Sequence, residues 1–291
     1  MGGLPEEDIL ALVVPFVVWG LVYGPFSFSN MLSLFYASWE ALGSIGTLTS
    51  LWYLSAFFVA RIMVQALISV LDRVGQATES WVLGLCSLPL FVIGLLMPRL
   101  ELGYPWCLNV AFVAAGIILL GIALRRPLLI FAVQRGWVLI AAFVASLAVL
   151  VLGTVARGDA CDLVLMCGAQ YGNLFWFFVN SISGTLAVLA ASMLLVRVAH
   201  EGLRPFSLAT ISFIGMHTMG IFLLHKPMLQ EVLMPLASTW IPGGQLVAAI
   251  VASTVALVLS MGLCVVIEHY IPELLGQFPN YPSNLYVPRR K

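Results

Sequence analysis

Residues 208–227 read LATISFIGMHTMGIFLLHKP, an almost unbroken apolar run that holds His217 inside it and closes on His225 and Lys226. About 20 apolar residues, rising about 1.5 Å each, cross a hydrocarbon core of about 30 Å, so the run reads as a transmembrane helix. A titratable side chain within such a helix is costly to expose to lipid and is expected to face other helices or a wet cavity. Thr210, Ser212 and Thr218 lie close to His217, so interhelical hydrogen bonding and a functional role both fit it. His225 sits where the apolar run gives way to Lys226 and Pro227, which places its imidazole at one mouth of the span.

The rest of the chain has the same character. Of 291 residues, 62% are hydrophobic and 9% charged, with a mean hydropathy of +1.06. A soluble domain is about half apolar and about a quarter charged, so this composition excludes one and predicts an all-α polytopic membrane bundle in contact with the lipid bilayer. Thirteen basic and thirteen acidic residues cancel, and no nucleic-acid partner is implied. Glu6, Glu7 and Asp8 precede the first apolar run, where a secretory signal would carry positive charge. The five cysteines lack zinc-ligand spacing, so no metal site is expected.

Eight apolar spans can be marked, at residues 9–26, 51–71, 81–97, 106–124, 136–155, 174–196, 208–224 and 246–267. Short polar loops join them, giving one transmembrane domain over residues 1–270 and an irregular, proline-rich tail over 271–291. No internal repeat is visible. The side shared by both termini holds Arg73, Arg125, Arg126, Arg135, Arg197, Arg204, Arg289, Arg290 and Lys291. The opposite side holds Arg99, Arg157 and Lys226, and this asymmetry predicts cytoplasmic termini, with His225 opening away from the cytoplasm. The loop over residues 158–171 then lies outside the cytoplasm, where Cys161 and Cys167 form a disulfide candidate, two reduced thiols being the alternative.

In the second span Arg61, Gln65 and Asp72 fall on one helical face, with Tyr53 and Ser69 near it. The planar guanidinium of Arg61 suits an anionic substrate group, and it equally suits a structural partner such as Glu268. In the sixth span Asn180, Ser181, Ser183, Gly184 and Thr185 form a small-residue cluster that fits either close helix packing or the wall of a pocket.

The segment from Gly215 to His225, with its glycines, small polar residues and closing Leu-Leu-His, resembles the penultimate helix of the acyltransferase 3 family of integral-membrane O-acyltransferases, its fucose 4-O-acetylase-like branch above all. Leu12 to Leu21, LVVPFVVWGL, resembles the start of the family's third helix, and Leu51 to Arg61, LWYLSAFFVAR, its next one. The resemblance implies transfer of an acetyl group from acetyl-CoA to a sugar hydroxyl of a polysaccharide or glycolipid, in a bacterial inner membrane. It implies His225 as the catalytic candidate, and Arg61, Trp52, Gln65, His217 and Asn180 as substrate-binding candidates. The family's first-helix histidine and the arginine-rich stretch before its third helix have no counterpart, because MGGLPEEDILA contains neither residue type. Two accounts follow. The favoured one is a member lacking two helices, inactive or completed by a second polypeptide; the other is a compact acyltransferase that uses His225 in the missing role. An acyltransferase also requires Arg61 and His225 to line one cavity. The reading from another class is a small transporter or channel-like protein, which would use the same polar face on the second span.

Overall fold

The computed structural model describes residues 9–24, 26–44, 46–75, 79–155, 164–200, 205–240 and 244–277. Cys161 and the tail beyond residue 277 lie outside the described residues. Among the described residues the protein is helical and contains no strand, its one β-bridge joining Leu165 and Gln170. A π turn, Ile9–Val13, leads into α1 (Val14–Tyr23), and two short helices follow, α2 (Phe28–Tyr36) and α3 (Trp39–Gly43). The long helices are α4 (Trp52–Arg73), α5 (Ser80–Leu96), α6 (Leu108–Ala123), α8 (Gly136–Val155) and α9 (Leu174–His200), with the short α7 (Arg125–Ala132) lying between α6 and α8. The chain closes with α10 (Pro205–Met216), α11 (Thr218–Pro227), a π turn at Met228–Leu233, α12 (Met234–Trp240) and α13 (Gly244–Tyr270).

Five helical stretches are long and apolar enough to cross a membrane: Leu48–Arg73, Pro105–Ala123, Gly136–Val155, Leu174–Val198 and Gly244–Tyr270. Leu10–Tyr23 and Ser80–Leu96 are apolar but shorter. These seven coincide with seven of the eight runs marked in the sequence. The run at 208–224 differs, because it breaks at His217 and its helix does not end near His225.

Small residues decide how the helices meet, since apolar side chains gain nothing from leaving lipid and association depends on close contact. The α5–α6 hairpin is the most intimate pair. A Cβ on Gly94 would lie 2.7 Å from Cγ2 of Val113 and 2.9 Å from the backbone oxygen of Asn109, so only hydrogen fits there. Ala111, Ala115, Leu119 and Ala123 line α6 at four-residue spacing and pack against Ala60 and Val64 of α4 and Leu83 of α5. On α13 the buried residues Ala248, Ala252, Ala256, Ser260 and Cys264 also recur every four residues, a narrow stripe facing α11 and α12. Gly220 meets this stripe where a Cβ would stand 2.6 Å from Sγ of Cys264. The other faces of these helices expose Leu, Val and Ile, as a lipid-facing surface should.

The segment after α13 folds back on α1. The Trp19 indole N–H donates to the Leu274 carbonyl at 2.9 Å, Leu275 is buried, and Gly276 lies against the backbone of Ala11. Gly276 has φ +72°, and a Cβ there would fall 2.3 Å from the Ala11 carbonyl oxygen, so glycine is required twice over.

Pro227 ought to end its helix, because it removes the N–H that would reach the Leu223 carbonyl. The helix continues because that carbonyl has another donor: the Tyr23 hydroxyl binds it at 3.0 Å. The π turn at Met228–Leu233 takes up the remaining distortion, and the helix runs on to Trp240. His225 therefore lies inside a helical stretch and not at its mouth.

Candidate active site

The break at His217 is closed by its own side chain. Nδ1 lies 2.8 Å from the carbonyl oxygen of Phe213, one turn back, so this nitrogen carries a proton and donates it. Nε2 lies 2.5 Å from Oε2 of Glu268 near the end of α13. Exactly one further proton belongs between Nε2 and the carboxylate, so the pair is neutral overall whichever atom holds it. The imidazole is 6% exposed and stacks against Phe213 with ring centroids 4.0 Å apart. Both nitrogens are engaged, and no lone pair faces a substrate. Of the two roles open to His217, the contacts are those of an interhelical hydrogen bond.

His225 begins from the same local arrangement and ends differently. Its Nδ1 lies 3.0 Å from the Ile221 carbonyl oxygen and donates to it. In the neutral ring the lone pair is then on Nε2, which has no hydrogen-bond partner among the described residues. The ring is half-buried and sits 5.8 Å from Phe222, whose own ring is 5.3 Å from Tyr53. Tyr53 stacks on Phe57 and meets Trp52 edge-on at 5.9 Å. An unpartnered imidazole nitrogen of fixed tautomer, beside a wall of aromatic rings, is suited to accept a proton from a bound hydroxyl.

The adjacent Lys226 turns to a second group of polar side chains. It lies within electrostatic reach of Cys167, which is in turn within reach of Glu40 and Cys107. Burial pushes the Cys167 thiol up from the ordinary cysteine range. Nearby, four non-glycine residues take left-handed backbone: Ala37 (φ 56°), Trp106 (φ 54°), Cys107 (φ 49°) and Ala169 (φ 50°). Around them the Ser55 hydroxyl donates to the Trp52 carbonyl at 2.9 Å and lies 3.2 Å from the Ala37 carbonyl, to which the Cys107 thiol donates at 3.4 Å. Strain of this kind persists only where the surroundings over-determine it, and here it fixes the start of α6 against α3 and α4. Glu40 is set by the Ser38 cap of α3 and lies against Gly103, whose φ is +67°.

The remaining sequence candidates do not gather at one point. Trp52 joins the His225 group through Tyr53. Arg61 and Gln65 lie further along α4, both half-buried, and the carboxylate offered to Arg61 in one reading, Glu268, binds His217. Asn180 packs on α8, where a Cβ at Gly153 would stand 2.8 Å from its Oδ1, and that oxygen is buried without a hydrogen-bond partner. Cys167 carries a free thiol, and its expected partner Cys161 is outside the described residues. A shallow cleft between α1 and α2, lined by Gly20, Leu21, Gly24, Phe26, Asn30, Met31 and Leu34, contains neither Arg61 nor His225, so it is not the shared cavity that the sequence reading required of these two residues. No cluster of three metal-ligating side chains occurs among the described residues.

A family profile described as an acyltransferase domain, that of the acyltransferase 3 family, matches residues 7–269. The chain belongs to this family. No curated protein and no solved structure matches it. The protein is thus a membrane acyltransferase, and the match contains both histidines of the broken helix and the Trp52 motif. Sequence reasoning missed the bond between His217 and Glu268 because 51 residues separate them. It also missed the electrostatic reach of both Lys226 and Glu40 to Cys167, for which no local spacing gives a signal.

Proposed function

We propose that this acyltransferase moves an acetyl group from acetyl-CoA to a sugar hydroxyl on a polysaccharide or glycolipid, with His225 as the general base. The acceptor oxygen attacks the thioester carbonyl, its proton passes to Nε2 of His225, and the CoA sulfur leaves. The observation that carries this reading is the state of His225: Nδ1–H is spent on the Ile221 carbonyl, and Nε2 has no hydrogen-bond partner among the described residues. Trp52 and Tyr53 offer rings against which a sugar face can pack, and Arg61 and Gln65 offer polar contacts further along α4. The excess of Lys and Arg on the side of Arg73, Arg125 and Arg135 supports cytoplasmic termini in a bacterial inner membrane. Nothing found supports a transporter.

The test is transfer of labelled acetyl from acetyl-CoA to a glycan acceptor in membranes containing the chain. It is run alone and with a co-expressed polypeptide carrying the family's first two helices. His225→Ala is expected to lower the rate by about 10²–10⁴-fold, the usual contribution of a positioned base. His217→Phe is expected to retain most of the rate. Transfer by His225→Ala at the unaltered rate, in either setting, would remove His225 from the mechanism.

A further inference from the structure

One rim of the bundle carries an arginine cluster to which the proposed mechanism gives no role. Leu71 of α4, Leu83 of α5 and Ala123 of α6 pack together, which brings the end of α4, the start of α5 and the end of α6 to one level. α7 follows directly, and Arg197 near the end of α9 donates through Nη2 to the Gln134 carbonyl, binding the turn between α7 and α8 to the same rim. Five described arginines stand here, Arg73, Arg125, Arg126, Arg135 and Arg197, against two carboxylates, Asp72 and Glu79. Arg125, Arg126 and Arg135 are exposed. Leu128 and Phe131, which fall opposite Arg125 and Arg126 at 100° per residue, are half-buried, while Leu129, Ile130 and Val133 are exposed on the side of the arginines. Trp81 and Trp137, at the starts of α5 and α8, are also exposed, as indole rings are at the headgroup level of a bilayer.

We propose that α7 is an interfacial helix whose arginines bind the phosphate of an anionic phospholipid. Leu128 and Phe131 turn toward the acyl boundary, Arg125 and Arg126 meet the headgroup, and Arg135 stands at the turn beyond α7. A guanidinium presents two parallel N–H donors that match two phosphate oxygens, and the excess of positive charge on the rim supplies the complementarity. Arg197 acts on the site by holding the turn that carries Arg135. The proposal rests on this rim and is independent of the role given to His225.

The test uses the full chain in detergent micelles doped with phosphatidylglycerol or phosphatidylcholine, read by melting temperature and by the lipid retained in native mass spectrometry. Phosphatidylglycerol is expected to raise the melting temperature and stay bound, and phosphatidylcholine to do neither. Each arginine removed in the series Arg125→Gln, Arg126→Gln and Arg135→Gln is expected to weaken retention about fivefold. Arg125→Lys with Arg126→Lys, which keeps the charge and loses the paired donors, should retain more lipid than the glutamine pair and less than the parent, and its unchanged melting temperature without lipid shows that the helix still folds. Arg99→Gln, beyond the other end of α5, should leave it unchanged. Equal stabilisation by phosphatidylcholine, or undiminished retention in the triple glutamine variant, would overturn the proposal. So would a shift of the same size, lost in the same variants, from free coenzyme A or inorganic phosphate without lipid, since the site would then serve a soluble phosphate.

Discussion

The bond between His217 and Glu268 makes an asymmetric prediction. Removing either partner breaks the same 2.5 Å contact, but the groups left behind differ: His217 is 6% exposed and the Glu268 side chain 38%. In Glu268→Ala the Nε2 of a side chain only 6% exposed loses its partner. An unsatisfied buried polar group costs about 1–3 kcal/mol, and with the charge-assisted bond also lost this variant falls in that range. In His217→Phe the ring shape is kept, the backbone N–H of residue 217 still reaches the Phe213 carbonyl at 3.1 Å, and Glu268 can be rehydrated. That places the loss near the value for exposed ion pairs, about 1 kcal/mol or less. Glu268→Gln, which leaves an acceptor for Nε2–H, belongs with the milder variant. The assay is reversible urea unfolding of the reconstituted protein, with all three variants measured against the parent. If His217→Phe destabilises as much as Glu268→Ala, burial of the imidazole does not govern the energetics of the pair.

Three other outcomes are expected. Gly94→Ala should destabilise by about 1–3 kcal/mol, because its Cβ would meet Val113 and the Asn109 backbone within 3 Å; Gly121→Ala on the partner helix, with nothing within 4 Å, should be neutral or mildly stabilising in the same unfolding experiment. Gly276→Ala should release the segment after α13 from α1, read as faster proteolysis near residue 276, since its left-handed backbone alone costs about 1–2 kcal/mol and the new Cβ would collide with Ala11. Cys167, in a Cys161→Ser background, should react slowly with a maleimide at neutral pH. Its rate should keep climbing with pH beyond the range where an exposed cysteine has levelled off, because burial raises its pKa and the reactive thiolate appears later.

Much of the fold was legible because the bilayer imposes length and composition on each span separately. The runs around Leu139, Ala187 and Ala252 could be placed from their own residues. The seventh run could not, and the reason lies outside it. Pro227 is a sound local stop signal, yet its effect depends on whether the freed Leu223 carbonyl finds a donor, and Tyr23 supplies one from 200 residues away. The polar face of α4 was legible as a face, from Arg61, Gln65 and Asp72, but periodicity does not say what stands opposite. Glu268, offered by the sequence as a partner for Arg61, is bound to His217.

The two histidines of this segment show why composition alone could not assign their roles. Each sits one turn beyond a carbonyl that takes its Nδ1 proton, Phe213 for His217 and Ile221 for His225. The helix therefore sets the same tautomer preference at both positions, and only the opposite nitrogen differs. Glu268 occupies that of His217, which ties α11 to α13 and commits the ring to holding the break. Eight residues on, about 12 Å along the axis, the nitrogen of His225 has no such carboxylate among the described residues. The clamp and the base candidate are then two uses of one local motif, separated by whether a second helix places an acidic group in reach. Placing a carboxylate opposite His225, as it stands opposite His217, should convert the second ring to the state of the first and suppress transfer while leaving the helix intact.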